Sequence, residues 1–163
     1  MLLNDLRRRP FNPRRATTFL DSCAFDPEPA EEEDAAREIL AIWEAGGANL
    51  IIAHSTKSEI DHPRTPDDVK RLAAGMVFTY STDLTPSEER QRNRIHEILT
   101  GNGKPEKYRS DALNIFEAAK YGGCFVTADV RVLSKQENIQ SIRQVRILKP
   151  TEWLQIYRAC TDA

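Results

Sequence analysis

The order of segments predicts an α/β protein whose mostly parallel sheet, of about five strands, is covered by helices on both faces. Three observations carry this expectation. Short apolar runs alternate along the chain with amphipathic, capped segments, the pattern of repeated strand–helix–strand units. Two of the runs, Asn49 to Ala53 and Cys124 to Ala128, are almost continuously apolar, as strands covered on both faces read. And 163 residues, 40% of them hydrophobic, fit one domain with a buriable core.

The elements follow in order. Residues 1–15 form a basic arm, with Arg7, Arg8, Arg9, Arg14 and Arg15 against Asp5, and the globular domain is expected over residues 16–163. Such an arm reads either as a loosely ordered terminus or as a phosphate contact. Thr17 to Leu20 is the first strand. An acidic stretch, Asp26 to Asp34, leads into a helix over Ala30 to Ala45. That helix sets Ala35, Ile39, Ile42 and Trp43 on one stripe, carries acids in its first turn and stops at Gly46-Gly47. Asn49 to Ala53 is the second strand. Thr56-Lys57-Ser58-Glu59 has capping-box spacing, and Thr65-Pro66-Asp67-Asp68 places a cap before a proline at the first helical position. Met76 to Tyr80 is a weaker third strand. Thr85-Pro86-Ser87-Glu88 repeats the cap signal, and its helix is expected to run to Gly101. Ser110 is expected to cap a helix over Asp111 to Tyr121, closed by Gly122-Gly123. Cys124 to Ala128 and Val145 to Leu148 are the last strands, and Thr151 is expected to cap a final helix holding Trp153, Leu154 and Tyr157.

Several functional classes are excluded. No apolar run approaches the ~20 residues of a membrane span, and no apolar stretch follows the charged N-terminus as in a secretory signal. The net charge of −2 excludes nucleic-acid binding by overall positive charge. Cys23, Cys124 and Cys160 form no CxxC pair, so reduced thiols and a cytoplasmic location are expected. His54, His62 and His96 lie in no HExxH or HxxxH spacing, and no glycine pair forms a GxGxxG or Walker loop.

The chemistry lies in the acids. In open parallel sheets, ligands gather beyond the carboxyl ends of the strands. Asp21 directly follows the first strand and Asp129 the fourth; Glu59 comes six residues after the second; Asp111 opens the helix leading into the fourth. A helix antiparallel to the strands starts at that same edge. Each acid also has a local reading: Asp21 as a turn cap, Asp129 as a helix cap, Glu59 as the partner of Thr56, Asp111 as a favourable charge at a helix start. Converging carboxylates raise one another's pKa unless a cation intervenes. All-oxygen donors without a Cys/His cluster predict Mg²⁺ or Mn²⁺, together with a substrate that brings its own anions. Substrate grip must then come from local positive charge, with Lys57, Arg64, Lys70, Arg71, Arg131 and the Arg90, Arg92, Arg94 set as candidates. Lys57 and Arg131 are favoured, since they adjoin the acids. The Arg90–Arg94 set also reads as a solvated face paired with Glu88, Glu89 and Glu97.

These residues resemble a known pattern. Thr18-Phe19-Leu20-Asp21-Ser22, the lone Glu59 within Ser58 to Asp61, Ser110-Asp111 through Ala119, and Phe125-Val126-Thr127-Ala128-Asp129-Val130-Arg131-Val132-Leu133 are similar, in order and spacing, to the PIN-domain family of metal-dependent nucleases, over roughly residues 17–150. The resemblance implies a Rossmann-like three-layer α/β/α sandwich and an acidic pocket binding Mg²⁺ or Mn²⁺. It implies Asp21, Asp111 and Asp129 as metal ligands, Glu59 as a ligand or holder of a water, and Ser22 and Thr127 as hydrogen-bonding supports of those ligands. The implied activity is endoribonuclease cleavage of single-stranded or structured RNA. The chain then reads as a candidate toxin of a toxin–antitoxin pair, with a protein antitoxin and a homodimer as further expected partners and no membrane. The alternatives are a non-cleaving nucleic-acid-binding or scaffold domain of the same fold, and a metal-dependent phosphatase.

Overall fold

The computed structural model describes residues 11–22, 30–53, 61, 63, 67–76 and 83–160. Its strands are β1 (Thr17–Leu20), β2 (Asn49–Ile52), β3 (Cys124–Val126) and β4 (Arg146–Leu148). They form one all-parallel sheet in the order β2-β1-β3-β4. The helices are α1 (Ala30–Glu44), α2 (Asp67–Ala74), α3 (Pro86–Thr100), α4 (Arg109–Tyr121), α5 (Val130–Ser134), α6 (Gln136–Ile142) and α7 (Pro150–Ala159), with a 3-10 turn at Pro105–Tyr108 before α4. Among the described residues no helix is long and apolar enough to cross a membrane.

Alternation along the strands divides the core in two. Phe19, Phe125 and Ile147 pack with Ile95, Leu99, Ile115, Phe116 and Ile139, from α3, α4 and α6. Leu20, Leu50, Ile52, Cys124, Val126 and Leu148 pack on the other face with Ala35, Ile39, Trp153 and Leu154, from α1 and α7. Helices therefore cover both faces, and the short strands are apolar in near-continuous runs because neither face meets water. Burial pushes the Cys124 thiol up to about 12, which keeps it protonated and inert at neutral pH.

Four strands match the expected segments to within two residues at each end. Of the expected third, Met76 to Tyr80, only Met76 is among the described residues; its carbonyl accepts a 2.9 Å hydrogen bond from the Ile52 N–H. Two expected caps do not form. The residue before α4 is Tyr108, and Ser110 lies inside the helix, because the 3-10 turn delivers the chain already coiled. Helix α7 starts at Pro150, one residue before Thr151. Thr151 instead donates both its N–H and its hydroxyl to the Glu32 carboxylate at 3.0 and 2.7 Å, tying α7 to α1. Helix α6 has no signal of its own in the sequence beyond a short polar–apolar run. The basic arm is described from Phe11 onward. There Arg14 donates to the Tyr157 hydroxyl and the Cys160 carbonyl, each at 3.0 Å, so this arginine anchors the arm to α7 rather than reaching outward.

The cap at Thr85 forms as the sequence predicts. Its hydroxyl accepts from the Glu88 N–H, and the Glu88 carboxylate accepts from the Thr85 N–H at 3.0 Å. Glu88 also pairs with Lys120 of α4 at 2.9 Å. The Thr85 backbone bond, with Lys120 adding to it, lowers the Glu88 pKa from 4.5 to about 2. A carboxyl depressed on folding contributes stability above its unfolded pKa and loses it as pH falls through the folded value. Glu88→Gln keeps the box geometry and removes only the charge. It is expected to melt below the parent protein at pH 7, with the gap closing between pH 4.5 and about 2; thermal melts across that range check it, and a gap independent of pH contradicts it.

Candidate functional site

Strand order reverses between β1 and β3, since the chain leaves β1 for β2 on one side and returns to β3 on the other. The carboxyl edge at such a reversal is where open α/β sheets hold ligands. Leu20 pairs with Val126, so the next residues, Asp21 and Thr127, are neighbours across the two strands. By alternation both continue the face of Phe19 and Phe125, against which α4 packs.

The side chains meet there. The Thr127 hydroxyl donates to Asp21 Oδ2 at 2.8 Å in a fully buried contact. The Thr127 hydroxyl oxygen in turn accepts the Asp129 N–H at 3.0 Å. Asp21 Oδ1 accepts the Ser22 N–H at 2.8 Å, and Asp21 is 4% exposed. One hydroxyl thus couples a buried carboxylate to the backbone that sets the second. Asp129 caps α5, its Oδ1 accepting the Arg131 N–H at 2.8 Å. The cap orients this carboxylate without exhausting it, because an ionised carboxyl offers about four acceptor positions.

Asp111 sits in the first turn of α4. The far end of α4 touches the start of β1, for a Cβ on Gly122 would lie 2.8 Å from the Thr17 carbonyl. Gly122 comes eleven positions after Asp111, a rise of about 16 Å at 1.5 Å per position. Asp21 comes four positions after Thr17, about 13 Å at 3.3 Å per position. Asp111 therefore lies at the level of the Asp21 edge. Asn114, one turn further along α4, is fully buried; nothing in its sequence surroundings, beyond its place in the Ser110–Ala119 segment, signals this.

No protein-family model, curated protein or solved structure matches the chain.

The donors at the site are hard carboxylate oxygens, which suit Mg²⁺ or Mn²⁺. Among the described residues, no three His, Cys, Asp or Glu side chains group closely enough to hold a metal ion. Glu59 and Lys57 lie outside the described residues. Arg131, expected beside the substrate, donates to the Leu99 carbonyl at 3.2 Å and stacks 4.3 Å from the Tyr108 ring centroid. With Lys135, which donates to the Ile98 carbonyl at 2.6 Å, it closes the C-terminal end of α3, where cations are favoured. The Arg90–Arg94 set forms no ion pair among the described residues; Glu88 pairs with Lys120 instead.

Thr127→Val tests the bridge. Valine keeps the β-branch but removes both the donor to Asp21 and the acceptor for Asp129. Leaving buried polar groups without these partners costs about 1–3 kcal/mol. Urea denaturation is expected to show a loss of that size, and a loss below about 0.5 kcal/mol, the scatter of ordinary surface changes, contradicts the bridging role.

Proposed function

We propose that this chain is a Mg²⁺- or Mn²⁺-dependent endoribonuclease acting at the carboxyl edge of β1 and β3. The observation that carries the reading is the Asp21–Thr127–Asp129 bridge at the reversal of strand order. The resemblance of the same segments to PIN-domain nucleases supports it.

In this reading Asp21, Asp111 and Asp129 would hold the cation, with Glu59 as a further ligand; the three described acids do not group closely enough by themselves, so they would have to draw together as the cation binds. The cation would offset charge on phosphate oxygens and acidify water. The chain's own contribution is position. Thr127 fixes Asp21 and the Asp129 backbone, and Ser22 fixes the other oxygen of Asp21. The reaction is hydrolysis: water adds its hydroxyl to phosphorus, the bond from phosphorus to one ribose oxygen breaks, and that oxygen takes the proton. No covalent enzyme intermediate is needed. A toxin role, with an antitoxin covering the acids, belongs to the same proposal, and so does a homodimer.

One observation favours a second reading, a nucleic-acid-binding module that does not cleave: the described residues assemble no three-ligand group. A single assay separates these. Labelled single-stranded RNA, single-stranded DNA and a chromogenic phosphate ester are each incubated with Mn²⁺ and with EDTA. RNA cleavage abolished by EDTA is the expected result. RNA binding without cleavage supports the module, and ester turnover alone supports a phosphatase.

A further inference from the structure

A cleft of about 460 Å³ lies between α3 and the start of α4, lined by Arg92, Asn93, His96, Arg109, Ala112 and Leu113. Its polar lining is cationic or neutral, with no carboxylate. Arg92, Asn93 and His96 are spaced to share one face of α3, and Arg109, Ala112 and Leu113 one face of α4. Neither Arg92 nor Arg109 forms an ion pair among the described residues; Arg92 reaches only the Asn93 side chain, at 3.3 Å. His96 is held from outside the arginine pair. Its Nε2 lies 2.7 Å from the Pro105 carbonyl, and since a carbonyl only accepts, Nε2 carries the proton. Two guanidinium groups facing one concavity repel each other, and an anion resolves that as a cation resolves converging carboxylates. Guanidinium forks suit phosphate oxygens.

The position adds the rest. Arg109 precedes Asp111 by two residues on α4, so at 3.6 residues per turn the cleft and Asp111 lie on opposite flanks of one helix end. The helix is about 10–12 Å across. A chain of phosphates can pass around that end, whereas one small anion cannot occupy both flanks. We propose that this cleft is a phosphate-binding lane for single-stranded nucleic acid, with Arg92 and Arg109 gripping the backbone of a strand presented to the acidic edge. The lane deepens the nuclease proposal and shares its substrate, but it is tested without turnover.

The test is fluorescence anisotropy of a labelled single-stranded oligouridylate with the full chain in EDTA, over a range of salt. Arg92→Gln/Arg109→Gln is compared with Arg90→Gln/Arg94→Gln, which removes equal charge from elsewhere on α3 and its exposed surface. The lane variant is expected to bind about ten-fold more weakly. Its log–log salt slope should be shallower by about 1.4, since each phosphate that a single strand no longer has neutralised removes about 0.7; the control should stay near the parent. Equal weakening in both variants, or in neither, overturns the lane. Displacement of the oligonucleotide by equimolar inorganic phosphate also overturns it, in favour of a small-anion site, and so does equally tight binding of polyglutamate through the same two arginines, in favour of an acidic protein partner. If the lane variant loses binding while the parent never cleaves RNA, the lane stands and the nuclease reading falls. If the parent cleaves and the lane variant binds normally, the reverse holds.

Discussion

Asp21→Asn and Asp129→Asn are each expected to abolish manganese-dependent RNA cleavage while the protein remains folded. Asparagine preserves the shape of the carboxylate but removes its charge and replaces one acceptor oxygen with a donor. Loss of a group that only supports a metal ligand costs about 10–100-fold in activity or metal affinity, so loss of a ligand charge should exceed about 100-fold. The two variants should differ in stability. Asp129 accepts the Arg131 N–H as the cap of α5, and asparagine caps a helix about as well as aspartate. Asp129→Asn should therefore change the urea midpoint little. Asp21 accepts on both oxygens, from Ser22 and from Thr127, and an amide retains only one acceptor oxygen. Asp21→Asn should cost about 1–3 kcal/mol, the range for a buried polar group that loses its partner. Gel-resolved cleavage of labelled RNA, with urea midpoints taken in parallel, checks both parts. Cleavage at the parent rate by both variants would place the chemistry elsewhere in the chain.

Legibility in the sequence follows the range of the interaction involved. Strand β1 could be read residue for residue, because a short apolar run ending in a polar residue is a local signal. The Thr85 box could also be read, since all its partners lie within four residues. Ser110 and Thr151 carry the same local signal and fail as caps because something outside that signal decides them. A 3-10 turn has already begun the coil before Ser110, and Glu32, 119 residues away in the chain, takes both donors of Thr151. The acids show the same division. That Asp21 directly follows a strand can be read from the sequence; Asp129, expected directly after its strand, instead lies three residues past the end of β3 as the cap of α5, and that one threonine hydroxyl couples the two required the register of β1 on β3. Arg131 adjoins Asp129 in sequence, yet its guanidinium leaves that edge for the end of α3 and the Tyr108 ring. The cleft was least legible. Arg92 reads as an ordinary solvated face until α4 brings Arg109 opposite it, and no spacing within one helix encodes that meeting.

Trp153→Ala is expected to be the most destabilising single change in the core. Trp153 is fully buried on α7. Its indole N–H donates to the Thr18 hydroxyl on β1 at 3.1 Å, and its ring stacks on Tyr157 with centroids 5.1 Å apart. Tyr157 in turn accepts from Arg14, whose guanidinium lies 4.0 Å from the ring centroid. The indole therefore joins β1, α7 and the anchored end of the arm. Truncating a buried tryptophan costs about 3–5 kcal/mol, against a total of about 5–15 kcal/mol for an ordinary domain. Trp153→Phe keeps an aromatic ring but deprives the buried Thr18 hydroxyl of its donor, so it should fall between alanine and the parent. Urea midpoints at constant m-value measure the series, and an alanine loss below about 1.5 kcal/mol contradicts the joining role. The same series separates stability from chemistry. Thr18 lies on β1 three residues before Asp21, which follows that strand, but Trp153 sits on the opposite face of the sheet from the acids. Cleavage per folded molecule should therefore stay at the parent value in both variants, with activity lost only in proportion to the unfolded fraction. A drop in rate among molecules that remain folded would mean that β1 transmits the packing on one face to the carboxylate on the other.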